Sequence, residues 1–145
     1  MILSAFGDEI EPGLQGQIQF LKAQDIHYMD LRNTEASNVL DLTDPEIERI
    51  REMLYAAGFR LSSIASPLGK EPLVADVEAP LTRVRRALAI GRRLEARYVR
   101  IFSFFPPEGG PDGAAVEQLV IRHLQACIKI FGSRILRARI QILLR

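Results

Sequence analysis

The sequence predicts an α/β fold of the parallel (β/α) barrel type, with about four βα units, half of the eight that close such a barrel. Three observations carry this. Short apolar runs alternate with longer amphipathic runs four times along the chain. The apolar runs start at residues 2, 26, 60 and 98, the rhythm of parallel strands joined by crossover helices that cover the sheet. The first strand-to-helix turn reads GDEIEPG, and the adjacent acids Asp8 and Glu9 there repel a pyrophosphate. That sets aside the other parallel architecture, a doubly wound dinucleotide-binding sheet.

Each element has a local reason. ILSAF (2–6) is the first strand, closed by Gly7, Asp8 and Glu9. Leu14, Ile18 and Leu21 form one helical stripe between Leu14 and Gln24. IHYMDLR (26–32) is the second strand; alternation puts Tyr28, Asp30 and Arg32 on one face and His27, Met29 and Leu31 on the other. In LTDPEIERIREMLYAAG, Thr43 and Glu46 have capping-box spacing and Pro45 sits in the first turn, where its missing N–H costs nothing. Ile47, Ile50, Leu54 and Ala57 make the buried stripe, and Gly58 stops the helix. RLSSIAS (60–66) is the third strand, followed by a Pro/Gly loop and a helix from about 78 to 94 with the stripe Leu81, Val84, Leu88, Gly91. YVRIFSF (98–104) is the fourth, then PPEGGPDG and a helix carrying Val116, Leu119, Val120, His123, Leu124 and Cys127.

With 48% hydrophobic and 26% charged residues, the composition fits a globular domain rather than a disordered chain. No apolar run approaches the roughly 18 residues that span a membrane. MILSAFGDEI has no basic leader, and its acids come too early for a signal peptide. A single cysteine, Cys127, forms no internal disulfide and lies in a helical apolar stripe, which predicts a buried thiol and a cytoplasmic protein. The net charge of +1 conceals a division. Residues 1–117 hold 13 basic and 18 acidic residues, a net −5, whereas 118–145 hold six basic and no acidic residues, a net +6.

In a (β/α) barrel the working residues lie at the C-terminal ends of the strands. Here those ends carry Asp8 and Glu9, Asp30 and Arg32, Ser66, Pro67, Gly69 and Lys70, then Arg100 and Ser103 followed by Pro106, Pro107, Glu108, Gly109 and Gly110. Such a rim suits a polyhydroxylated or anionic small molecule. Gly69 frees the backbone beside Lys70, which can reach an anion. Asp8 reads equally as a turn closer, and Asp30 with Arg32 or Arg100 as a structural ion pair, since a charge within a strand needs a partner. Asn33 and Glu35 fall in a long, solvated loop. His27 and His123 read as packing or surface residues, and no HExxH, CxxC or serine elbow occurs.

FGDEI at the first strand, MDLR at the second, NVLDLTDPEIERIREML through the second helix, IASPLGKEPL after the third strand and YVRIFSFFPPEGG at the fourth share an order and spacing. Together they resemble the sugar phosphate isomerase/epimerase group of xylose isomerase-like TIM barrels, over residues 1 to about 130. The resemblance implies a divalent-metal enzyme that moves a proton beside a sugar carbonyl, the metal polarising the carbonyl and carboxylates shuttling the proton. It also implies that the metal is held by carboxylates and a histidine at the ends of later strands. The expectation for this chain is therefore the N-terminal half of such a barrel. Asp8, Glu9, Arg32, Ser66, Lys70, Arg100 and Ser103 would line the pocket for a sugar or sugar phosphate, Lys70 and Arg32 taking its anion. The catalytic residues are unassigned, no metal ligand is present, and the chain by itself is expected to bind no divalent metal and to be inactive.

Residues 131–145 stand apart as a basic, apolar tail. Ile135, Leu136, Ile140, Ile142, Leu143 and Leu144 argue against an exposed nucleic-acid arm. An ordinary strand explains IQILL but not the missing acids; a frameshift or truncation explains both. Two alternatives stand beside the isomerase reading. A metal-dependent endonuclease of the same superfamily needs a basic groove, which GDEIEPG and PPEGGPDG do not offer. A non-catalytic half barrel would assemble with a partner half. Open strand edges and an apolar inner face predict self-association.

Overall fold

A computed structural model describes residues 3–105, 113–132 and 137–141, the last as the backbone of one strand. Its elements run in chain order: a single 3-10 turn, Gly7–Glu9; α1, Leu14–Ala23; β1, Tyr28–Leu31; β2, Asn33–Thr34; β3, Ser37–Asn38; α2, Asp44–Ala57; β4, Arg60–Ile64; α3, Leu81–Arg93; β5, Tyr98–Phe102; α4, Ala114–Phe131; and β6, Arg137–Gln141. The sheet order is β1-β4-β5-β6, with every neighbouring pair parallel. Ala5 extends it by one parallel bridge to Met29, the Asp30 N–H donating to Ala5 O at 3.0 Å. The first strand of the sequence reading is thus reduced to that bridge within the described residues. The sheet is open, and with its four helices it forms a partial α/β barrel.

The helices pack in chain order, α1 on α2, α2 on α3 and α3 on α4, and α3 lies against β4 and β5. One face of the sheet makes the core with them. Met29, Leu31, Leu61, Ile64, Val99 and Ile101 are all at most 2% exposed and meet Leu14, Ile18, Ile47, Ile50, Val84 and Ile90 of the helices. The opposite, inner face carries Tyr28, Asp30, Ser63, Tyr98 and Arg100, placed together by the registers Tyr28↔Arg60, Asp30↔Ser63 and Ser63↔Tyr98. The apolar inner face expected from half a barrel is therefore corrected: alternation gives that face polar and aromatic side chains and leaves the aliphatics to the helices. A register shift between Met29 and Asp30 brings Ser63, not Ser62, opposite Asp30.

Local chemistry sets the boundaries. Both the N–H and the hydroxyl of Thr43 donate to Glu46 Oε2, at 2.7 and 2.6 Å, completing the capping box of α2. Gly58 ends that helix at φ +73° and donates to Leu54 O. α3 starts at Leu81, later than the expected 78, because Pro80 takes the N-cap position and disfavours helix in the residue before it. Instead of a long loop, Asn33 and Glu35 fall in the β2–β3 hairpin, with Glu35 and Ala36 at positive φ in its turn; Glu35 is exposed as expected and Asn33 half-buried. In the tail, Arg137–Gln141 is a strand in parallel register with β5, Arg139 opposite Arg100, so that segment takes the next place in the sheet. The PPEGGPDG loop lies almost wholly outside the described residues, so no structural role is given to Pro106, Pro107, Glu108, Gly109 or Gly110.

Candidate functional site at the strand ends

Asp8 and Glu9 sit in the 3-10 turn just past the Ala5 bridge, and Arg32 leaves the end of β1 beside them. Arg32 Nε donates to Asp8 Oδ2 at 2.7 Å, and its Nη2 lies 3.3 Å from Glu9 Oε1. Asn33 Nδ2 donates to the same Asp8 oxygen at 2.7 Å. The Asp8 side chain is only 5% exposed, so this pairing is sheltered, and it holds the Arg32 guanidinium above its usual pKa. The other Asp8 oxygen, Oδ1, is buried and has no hydrogen-bond partner among the described residues. Arg32 is thereby committed to two carboxylates.

Asp30 does not pair with Arg32 or Arg100, as one reading of its place in the strand proposed. It accepts hydrogen bonds from Ser4 Oγ at 2.7 Å and Ser63 Oγ at 2.5 Å. Hydroxyls satisfy it because the register sets Ser63 directly across the ladder and the Ala5 bridge brings Ser4 alongside.

Arg100 stands mid-strand in β5, half-buried on the inner face. Its Nη2 donates to Ala65 O at 2.9 Å and its Nε to Ser66 O at 3.4 Å. No carboxylate lies within ion-pair distance of it among the described residues. Burial, and then the neighbouring Arg32 charge, hold its pKa below the usual arginine value, with Asp30 and Asp8 acting in the opposite sense. The guanidinium lies 5.3 Å from the ring centroid of Phe6 and 4.8 Å from that of Phe102. Arg32 shares the Phe6 ring at 5.2 Å, and Lys70 Nζ shares the Phe102 ring at 4.9 Å. Three cations and two aromatic rings thus alternate across the rim.

Ser66 is fully buried, and its hydroxyl donates to Arg100 O at 2.5 Å while accepting from Leu68 N–H. It ties β5 to the loop after β4 and presents no free hydroxyl to a pocket. Gly69 holds φ +78°, and a Cβ there would stand 2.1 Å from Phe102 O; Phe102 N–H donates to Leu68 O at 2.7 Å. That close approach is what sets Lys70 over the Phe102 ring. Ser103, half-buried just beyond β5, makes no hydrogen bond to a described residue.

The structure therefore gathers Asp8, Glu9 and Arg32 into one cluster and Arg100, Ser66 and Lys70 into another, joined through Phe6 and Phe102. Sequence reasoning did not single out Asn33, Phe6 or Phe102. Two signals were present for the rings: Phe6 stands next to the acidic turn, and Phe102 keeps the inner-face alternation of Tyr98 and Arg100. A groove of about 480 Å³ lies at the other end of the strands, lined by Arg51, Tyr55, Arg60, Glu95 and Arg97 among others. In a barrel that end serves stability rather than chemistry.

No protein-family model and no curated protein matches the sequence. Solved structures do match in fold. A xylose isomerase-like TIM barrel protein from Mycobacterium smegmatis, in complex with magnesium, superimposes with a TM-score of 0.68 at 16% identity, over 96% of this chain and 54% of its own. A xylose isomerase domain protein from Alicyclobacillus acidocaldarius subsp. acidocaldarius gives 0.60 at 20% identity, over 97% and 49%. A putative uncharacterized protein from Parabacteroides distasonis ATCC 8503 gives 0.58 at 11% identity, over 98% and 53%. The chain has the fold of part of a xylose isomerase-like TIM barrel, consistent with an N-terminal half, and spans about half the length of these structures.

Among the described residues no three of His, Cys, Asp or Glu stand close enough together to hold a metal ion. Asp8 Oδ2 is taken by Arg32 and Asn33, and Asp30 by two hydroxyls. The described donor set does not fit a divalent cation. No described helix is long and apolar enough to cross a membrane.

Proposed function

We propose that this chain is the substrate-side part of a metal-dependent sugar or sugar-phosphate isomerase/epimerase barrel. The observation that carries the reading is the convergence of Asp8, Arg32, Lys70 and Arg100 at the C-terminal ends of parallel strands, where a barrel builds its site. The likeness to xylose isomerase-like barrels, one of them a magnesium complex, supports the reaction class. In it these residues bind and orient a polyhydroxylated substrate. Asp8 fixes the Arg32 guanidinium at the rim, Ser103 offers a contact, Asn33 holds Asp8 in place and Glu9 holds Arg32. Ser66 fixes the strand that carries Arg100. The metal of such enzymes would polarise the sugar carbonyl.

Saturation-transfer NMR of the 145-residue chain with neutral pentoses and hexoses tests this. Sugar binding that weakens at least tenfold in Asp8→Asn, with no turnover by the chain alone, is the expected result. An absence of sugar binding, or binding indifferent to Asp8, would overturn the reading. A second reading, a half barrel that pairs with another copy or a partner half, is favoured by the open sheet between the Ala5 bridge and β6. Light-scattering chromatography separates the two: a strictly monomeric chain at high micromolar concentration removes self-pairing.

A further inference from the structure

We propose that Arg100, working with Lys70, is the residue pair that holds the anionic group, phosphate or carboxylate, of the sugar ligand, and that Arg32 is not part of that pair. The inference rests on the sugar-site reading above and names the class of substrate it would take: an anionic sugar.

Arg32 is the obvious cation on the rim, yet two carboxylates already neutralise it. Arg100 is the opposite case. It is half-buried and bonded only to the carbonyls of Ala65 and Ser66, with no carboxylate in reach among the described residues. Asp30 and Asp8 offset only part of what burial and the Arg32 charge cost this cation, and a bound anion would offset the rest. Those two contacts engage Nε and Nη2, so Nη1 and one N–H of Nη2 remain available, the donors that meet two oxygens of a carboxylate or phosphate side by side.

The aromatic rings reinforce the assignment. Phe6 and Phe102 flank the guanidinium at cation–π distance and consume none of its donors. Lys70 is exposed, pairs with no described carboxylate, and sits 4.9 Å from the same Phe102 centroid that lies 4.8 Å from Arg100. The two cations are no farther apart than the sum of those distances, and they repel unless an anion lies near both. Gly69 fixes this spacing, since a side chain there would collide with Phe102 O. A ligand with an anionic end matches these two cations.

The test is calorimetric titration of the full 145-residue chain with three probes: inorganic phosphate, D-gluconate and the neutral sugar D-xylose. Phosphate or gluconate should bind, and whichever binds more tightly names the anion. Arg100→Met should weaken that binding at least tenfold, and Arg100→Lys should restore part of it. Lys70→Ala, at an exposed position, should weaken the anion severalfold and carries the test if Arg100→Met does not fold. Anion binding that is absent while xylose binds, or that is unmoved by Lys70→Ala and Arg100→Met, overturns this inference and leaves the sugar-site reading standing. If none of the three probes binds, the sugar-site reading falls and this inference falls with it.

Discussion

Substituting Gly69 by alanine should destabilise the chain by about 2–5 kcal/mol, well beyond the same change at Gly58. Both glycines hold left-handed backbone, φ +78° and +73°. An L side chain in that region costs about 1–2 kcal/mol at either position. The surroundings differ. Nothing lies within 4 Å of a Cβ at Gly58, so Gly58→Ala carries the backbone cost alone. At Gly69 the Cβ would stand 2.1 Å from Phe102 O and 2.7 Å from Phe102 C, backbone atoms of a central strand that cannot rotate aside. Relieving such an overlap displaces the loop or the strand, typically a further ~1–3 kcal/mol. Urea unfolding followed by circular dichroism reads both variants, as midpoint shifts at unchanged slope. The displaced loop carries Lys70, so Gly69→Ala should also weaken binding at the rim, which Gly58→Ala should not. Stabilities of the two variants within ~0.5 kcal/mol of each other would refute the close approach of loop and strand.

Thr43→Ala removes one side of the capping box and should cost ~1 kcal/mol in the same urea assay. His123→Leu should leave stability within ~1 kcal/mol of the parent: it deletes a buried Nε2 that has no described partner, and gives up the Nδ1 hydrogen bond to Leu119 O at 3.0 Å and the ring contact with Phe104 at 4.8 Å; a loss above ~2 kcal/mol would show that Nε2 has a partner too. Stability should also fall at both ends of the pH range. The Arg86 hydrogen bond holds the Asp44 carboxyl below 3.8 and the Thr43 hydroxyl holds the Glu46 carboxyl below 4.5, so their contributions are present above those values and are lost as pH falls. Burial pushes the Cys127 thiol from 9.0 up to about 11, so unfolded chains lose its proton first and stability declines as pH rises from 9.0 towards 11. Urea midpoints across that pH range check the signs, and at pH 8 Cys127 should react with a thiol reagent only once the chain is unfolded.

Where a residue's role followed from its neighbours in the chain, the sequence was enough. The helix stripes, the Thr43–Glu46 box, the Gly58 stop and the inner-face alternation of Tyr28, Asp30 and Arg32 all depend on spacings of four residues or fewer. Spacing alone also placed the charged groups at one rim. What it could not supply was the pairing among them, because partners there are more than twenty residues apart in sequence. Asp30 reaches Ser4 and Ser63 across 26 and 33 positions, and Arg32 reaches Asp8 across 24. The register shift after Met29 has no mark in the sequence, yet it decides that Asp30 meets a hydroxyl. The consequence bears directly on function. By charge alone Arg32 and Arg100 are equivalent, and the shorter argument favours Arg32, which stands beside the loop residues of the first turn. Only the fold reveals that Asp8 and Glu9 have already claimed it, and that Arg100, set between two phenylalanine rings and hydrogen-bonded to two carbonyls, has no carboxylate in ion-pair contact among the described residues.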